Sequence, residues 1–214
     1  MNALSPHSRL LTEAARRHLR PLGVLQKGRS RTWLDDRGWF VANIEFQPSG
    51  FSKGSYLNVG AHFLWQWGGY LTFDLGDRLE QFVPYESDAQ FAPQADRLAA
   101  RAASEVLVLR ELLPDPSAVA SVIPLPERGG GWPYYHRAVS LGLAAQPQAA
   151  AREFLAIAAA DGDDRAWVID LRERCRRFAE LVAEPPGFRA AIVQLIAEQR
   201  IALKLTPVSD PLSG

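Results

Sequence analysis

The chain has one cysteine, Cys175, among 214 residues. A single thiol excludes an internal disulfide framework and any zinc site built from several cysteines. The four histidines, His7, His18, His62 and His136, are dispersed. None forms the i, i+4 pair of a helical zinc site. No stretch approaches the roughly 18 consecutive apolar residues that mark a membrane span. The N-terminus has no apolar h-region of a secretory signal. Lysine is scarce, with arginines outnumbering lysines 21 to 3. There is no Gly-x-Ser-x-Gly nucleophile elbow and no phosphate loop of Walker spacing. These absences leave a soluble, cytoplasmic reading with no cofactor and no membrane association.

Apolar residues make up 47% of the chain and charged residues 22%, the balance of a globular protein. Net charge is zero, which disfavours nucleic acid as the partner. The charge is nonetheless uneven. Residues 1–31 carry Arg9, Arg16, Arg17, Arg20, Lys27, Arg29 and Arg31 against Glu13 alone. Residues 32–100 carry nine acids and four bases. The basic segment either meets an acidic partner or faces the acids of its own chain.

The spacing of Leu10, Leu11, Ala14 and His18 predicts an amphipathic helix over Pro6–Arg20, with Ser5 as cap and Pro6 at its first position. Pro21 and Gly23 stop it. Four strands are expected next: Arg29–Asp35, Trp39–Gln47, Ser55–Trp67 and Tyr70–Asp74, with Asp36-Arg37-Gly38 as the first turn. In the second strand Phe40, Ala42, Ile44 and Phe46 alternate with Val41, Asn43, Glu45 and Gln47. In the third, Leu57, Val59, Ala61, Phe63, Trp65 and Trp67 alternate with Tyr56, Asn58, Gly60, His62 and Gln66. Period-two polarity marks a strand with one face on a core. Of 21 aromatic residues, 14 lie between Trp33 and Phe91.

The second half is rich in alanine and leucine and reads as helical: Ala92–Leu113, Pro133–Ala160 broken near Pro147, Asp164–Ala183 and Pro186–Leu205. Arg128-Gly129-Gly130-Gly131 reads as a flexible connector. The fold class is therefore α+β: an N-terminal helix, a four-stranded mostly antiparallel sheet, and a helical C-terminal half packed against it. The expected organisation is helix plus sheet over 1–90, a helical part over 91–206 sharing one core with it, and a mobile tail over 207–214.

Several short motifs occur in a fixed order: Leu22-Gly23, Lys27-Gly28-Arg29, Phe46-Gln47-Pro48-Ser49 and Tyr56-Leu57-Asn58-Val59-Gly60. That order resembles a bacterial family of domains of unknown function, the one numbered four-three-zero-four, over residues 10–66. Val24-Leu25 stand where the family would carry an aromatic and a basic residue, and Tyr135-His136-Arg137-Ala138 is a weaker echo of it. The resemblance implies a bacterial protein and assigns no catalytic residue.

The strongest candidate surface comes from the alternation. Asn43, Glu45 and Gln47 are expected on one face with Tyr56, Asn58, His62 and Gln66, extended by Arg29, Arg31 and Trp33. That face mixes donors, acceptors, a carboxylate, an imidazole and stacking rings, suited to a small polar ligand or another protein. A non-catalytic binding or interaction module is the leading reading. The alternative is a hydrolase-like enzyme using Glu45 or His62 as general base. Asp74 falls near His62 and Glu45, though the trio is read as a hydrogen-bonded cluster and not a metal site. Cys175 lies on the buried stripe of its helix and reads as inert.

Overall fold

The structure is a computed structural model describing residues 5–127, 131–160 and 162–213. Arg128, Gly129 and Gly130 of the expected connector lie outside the described residues. The chain divides into two compact units: residues 1–62 with 71–111, and residues 63–70 with 112–214.

The first unit opens with α1 (Pro6–Leu19), which buries Leu11, Ala14, Ala15 and Leu19. Pro6 costs nothing at the start of a helix, because its missing N–H would have no intrahelical acceptor. Ser5 occupies the cap position, but its Oγ turns to Ser8 Oγ at 2.8 Å instead of capping a backbone N–H. A short 3-10 turn, Arg20–Leu22, ends at Gly23 in the left-handed region with φ 81°. There the Gly23 N–H returns to Arg20 O and the Val24 N–H to Leu19 O, which satisfies the helix's last carbonyls.

Five antiparallel strands follow in meander order among the described residues: β1 (Leu25–Gln26), β2 (Thr32–Asp36), β3 (Phe40–Glu45), β4 (Gly54–Phe63) and β5 (Leu75–Pro84). The expectation of four strands is corrected at both edges. β1 is two residues long, too short to carry a periodic signal. Tyr70–Asp74 is not the fourth strand but part of the connection to β5. In β5 the pairing runs Leu57 with Glu80 and then Asn58 with Arg78, so a bulge breaks its alternation. The expected third strand also ends earlier, at Phe63, where the Gln66 N–H turns back to Phe63 O. Gly60 and Gly76 face each other across β4 and β5; a Cβ on Gly76 would lie 2.5 Å from Gly60 Cα.

α2 (Asp88–Leu112) completes the unit and buries Phe91, Leu98, Ala102, Val106 and Leu109. Its polar edge ties it to the rest. Asp88 and Asp96 accept from Arg9 and Arg17 of α1, each at 2.8 Å. Glu80 of β5 accepts from Arg97, and Asp35 of β2 from Arg110.

The second unit contains a short 3-10 turn (Pro116–Ala118), α3 (Val119–Val122), α4 (Trp132–Leu143), α5 (Pro147–Ala159), α6 (Ala166–Leu181) and α7 (Pro185–Leu203). The helix break before Pro147 falls where the sequence puts it, with Ala145 at φ 55°. The core is a ring cluster of Tyr135, Phe154, Phe178 and Phe188. Gly142 lets Phe188 approach, since a Cβ there would lie 2.4 Å from that ring. Residues 63–70 join this core: Trp65 Nε1–H donates to His136 Nδ1, and the Tyr135 hydroxyl donates to Trp65 O. After α7, Asp210 accepts from Arg189 and Leu212 is buried.

Candidate functional site

Register places the sequence-derived candidates on two different faces. Paired residues in neighbouring strands point to the same side. Thr32 pairs with Glu45 and Leu34 with Asn43, whereas Trp33 pairs with Ile44 and Asp35 with Ala42. Trp33 therefore leaves the polar set and lies in the core, 1% exposed. Arg31 alternates with Thr32 and goes with Trp33. Its guanidinium donates to Ser8 Oγ at 2.6 Å and to Gly54 O at 3.1 Å. Burial lowers the Arg31 pKa from its ordinary value.

Four of the expected residues do come together. Asn58 Nδ2 donates to Glu45 Oε2 at 3.0 Å and to Gln47 Oε1 at 3.1 Å. Tyr56 stands beside them. The residue that organises the group, Arg78, lies on β5 and was missed by sequence reasoning. Its Nε donates to Asn58 Oδ1 at 3.2 Å and its Nη2 to Gln47 Oε1 at 2.8 Å. Its guanidinium carbon sits 4.2 Å from the centre of the Tyr56 ring. Tyr56 is in turn braced by Phe82 at 5.2 Å. Asn58 pairs directly with Arg78 across β4 and β5, and that placement makes the network possible.

The hydrogen-bond inventory of this cluster is unbalanced. The amide oxygens of Asn58 and Gln47 both accept from Arg78, and Glu45 accepts from Asn58. Among the described residues, Arg78 Nη1 and Gln47 Nε2 have no acceptor, and Arg78 is exposed. The guanidinium is thus oriented by a ring and two amides, with no carboxylate neutralising it. Such a group complements an acceptor, above all an anionic one.

The other end of the same β4 face is closed. His62 is fully buried. Its Nδ1 lies 2.6 Å from Thr72 Oγ1 and 3.3 Å from Asp74 Oδ2, and Thr72 donates to Asp74 Oδ1 at 2.7 Å. Asp74 is near His62, as the sequence suggested, while Glu45 is engaged with Asn58. Between the two ends lies Gly60, where the Phe73 ring comes within 3.2 Å of the place a Cβ would occupy. Asn43 is 4% exposed, and among the described residues its Oδ1 has no hydrogen-bond partner. Gln66 belongs to the second unit, in the turn after β4, and is 2% exposed. Among the described residues no group of three or more His, Cys, Asp or Glu side chains is placed to hold a metal ion.

The remaining sequence candidates have ordinary surroundings. Much of the N-terminal basic segment meets acids of its own chain: Arg9 faces Glu13 and Asp88, while Arg17 and His18 share Asp96. Those partners lower the Asp96 pKa. Cys175 is buried, and burial pushes its thiol up to about 12, the opposite of an activated nucleophile. Among the described residues no helix is long and apolar enough to cross a membrane.

Comparison with known proteins adds no name to this arrangement: no family model, no curated protein and no solved structure matches the chain.

Proposed function

We propose that this protein is a non-catalytic binding module whose contact surface is the open part of the sheet face: Glu45, Gln47, Tyr56, Asn58 and Arg78. The observation that carries the reading is the oriented, un-neutralised Arg78 guanidinium on the Tyr56 ring. Holding a flexible arginine in place before contact removes much of the ordering cost of binding. The surplus of donors selects a partner offering carboxylates or carbonyl oxygens, such as an acidic segment of another protein. Residues 10–66, with their resemblance to a family of unknown function, add no activity to this reading.

The rival reading, a hydrolase-like enzyme with Glu45 or His62 as general base, draws on the His62–Thr72–Asp74 cluster. A base must reach its substrate's proton within hydrogen-bond distance, directly or through a water. His62 has no exposed surface, and Glu45 already accepts from Asn58. The binding reading asks for no rearrangement of either.

The test is affinity capture from the cells that make the protein, comparing wild type with Arg78→Glu. Arg78 is exposed, and because the variant also gives up its contacts to Asn58, Gln47 and Tyr56, circular dichroism checks that it folds. Loss of a charge-assisted contact worth about 1.5–3 kcal/mol corresponds to roughly 10- to 150-fold weaker binding, before repulsion is added. A protein recovered with wild type and lost with Arg78→Glu supports the proposal. Recovery that ignores the charge reversal, or no protein recovered, overturns it.

A further inference from the structure

A different surface, on the second unit, has the makings of a small-molecule site. Along α6, Asp170, Glu173, Arg174 and Arg177 fall at i, i+3, i+4 and i+7, which places them on one helix face. Trp67 lies against that face, with the Arg174 guanidinium carbon 4.2 Å from its ring centre. An open groove of about 590 Å³ is lined by these five side chains and Arg176. That volume lies within the range of small-molecule sites, roughly 300–1,000 Å³.

Two features separate this groove from an ordinary solvated helix face. Asp170–Arg174 and Glu173–Arg177 have the acid-first i, i+4 spacing that favours ion pairs on a helix. Among the described residues neither pair closes. Arg174 instead lies over Trp67, and Arg177 is left exposed and without an ion-pair partner. Trp67 is also held firmly. Trp132 meets it edge-on at 4.6 Å and Tyr135 at 5.7 Å, and Trp132 stacks on Trp167 with an interplanar angle of 12°. The result is a rigid indole–guanidinium platform with acids towards the N-terminal end of the helix and arginines one turn later. From Asp170 to Arg177 the helix rises about 10 Å.

We propose that this groove binds a free nucleoside monophosphate. The base stacks on the Trp67–Arg174 platform, as nucleobases do on aromatic rings and guanidinium planes. Arg177 takes the phosphate, with Arg176, whose Nη2 donates to Ala158 O at 3.2 Å, at the edge of the groove. Asp170 and Glu173 accept from sugar hydroxyls or exocyclic amino groups. Three arginines against two acids leave the groove positive, which suits a ligand with a mixed polar body and an anionic end.

The test is calorimetric titration of the full chain with AMP, GMP, CMP and UMP, with adenosine and ribose 5-phosphate as partial ligands. The Trp67 indole N–H resonance, assigned with Trp67→Phe, reports where the ligand sits. The expected result is saturable binding of at least one monophosphate that shifts the Trp67 signal. Arg177→Glu should weaken that binding by about tenfold or more while adenosine binding stays within about twofold. Arg177 is exposed, and circular dichroism checks that the variant folds. Three results overturn the proposal: no saturable binding, binding indifferent to Arg177→Glu, or ribose 5-phosphate binding as tightly as the nucleotide. A hexanucleotide binding more than about tenfold tighter per site than AMP would replace the free nucleotide with a nucleic-acid strand and overturn it too.

Discussion

Removing the Arg110 side chain should cost the first unit more stability than any other exposed-side truncation there. Asp35 is 3% exposed, and its carboxylate accepts from Arg110 Nε at 2.9 Å and Nη2 at 2.8 Å. The same Nη2 donates to Leu22 O at 2.7 Å, so one guanidinium joins β2, α2 and the turn after α1. Arg110→Ala leaves a buried carboxylate and a carbonyl without their donor. Breaking a buried pair in this way costs about 3–5 kcal/mol. The Arg110 side chain retains 25% exposure, so water can enter the gap, and the lower end, ~3 kcal/mol, applies. With a urea slope of about 2 kcal/mol/M, the midpoint should fall by roughly 1.5 M. Hydrogen exchange of β2 and β3 amides during urea unfolding isolates this unit from the second. Asp35→Asn should cost less, about 1–2 kcal/mol, because it leaves a part-exposed cation and keeps one acceptor. Asp35→Leu with Arg110→Met should recover most of the loss, since an apolar pair replaces a buried ionic one at little cost. The reasoning is refuted if Arg110→Ala lies within about 0.5 kcal/mol of wild type, or if Asp35→Asn costs more than Arg110→Ala.

Two further expectations concern ionisation. The Cys175 thiol, pushed up to about 12, should resist iodoacetamide at pH 8 in the folded protein and react fully in denaturant; native labelling at a free-thiol rate would count against its burial. Arg165 beside Asp163 holds that carboxyl at about 2, below its ordinary 3.8. A depressed folded value contributes stability that is present above the unfolded value and lost as pH falls towards about 2. Asp163→Asn should therefore melt slightly below wild type at pH 6 and together with it at pH 2, and an unchanged gap at both pH values would show that the ion pair is not its source.

The sequence reading found the strands of the central hairpin but misjudged which residues share a face, and the reason is the turn. A turn over Asp36-Arg37-Gly38 puts Asp35 opposite Trp39 and Trp33 opposite Val41, on the polar side. In the structure the Arg37 N–H bonds Phe40 O, and Trp33 pairs with Ile44. A shift of this parity carries every side chain of β2 to the other face. Alternating polarity is also not alternating exposure here. β3 is buried at five of six positions and β4 at nine of ten, so Asn43 and His62 are interior residues despite their polarity. Polarity in a strand shows which side chains differ, not which side is covered. Arg78 was invisible because its strand was: β5 is an edge strand with a bulge at the pairing of Leu57 and Asn58, and its sequence, LGDRLEQFVP, has no clean period. The helices were read more accurately because their signals are local. The Pro147 break and the stripe expected through Trp167, Leu171, Cys175, Phe178 and Val182 need no knowledge of distant partners, and only Trp167, at the helix start, is exposed where burial is expected.

The division of the β4 face into two environments is what weighs binding against catalysis. Asn58 and His62 point the same way from one strand, four residues apart, and share a polar character. Gly60 between them has no side chain, and the Phe73 ring fills the space instead. On one side of that ring the polar groups reach solvent through Arg78. On the other, the imidazole is saturated at Nδ1 by Thr72 and Asp74 and has no exposed surface. A buried, hydrogen-bonded histidine of this kind rigidifies the connection from β4 to β5, and an unpaired polar group there would be costly. Catalysis by His62 would require residues 71–74 to move and the Thr72–Asp74 contacts to break before any substrate arrived. Binding at Arg78 requires only that a partner's acceptor approach a guanidinium already in place. A Cβ on Gly76 would lie 2.5 Å from Gly60 Cα, so the two glycines are what let β5 lie this close to β4. The pairing of Gly60 with Gly76 and that of Asn58 with Arg78 belong to one ladder, so the close approach allowed by the glycines goes with the register that sets Arg78 opposite Asn58.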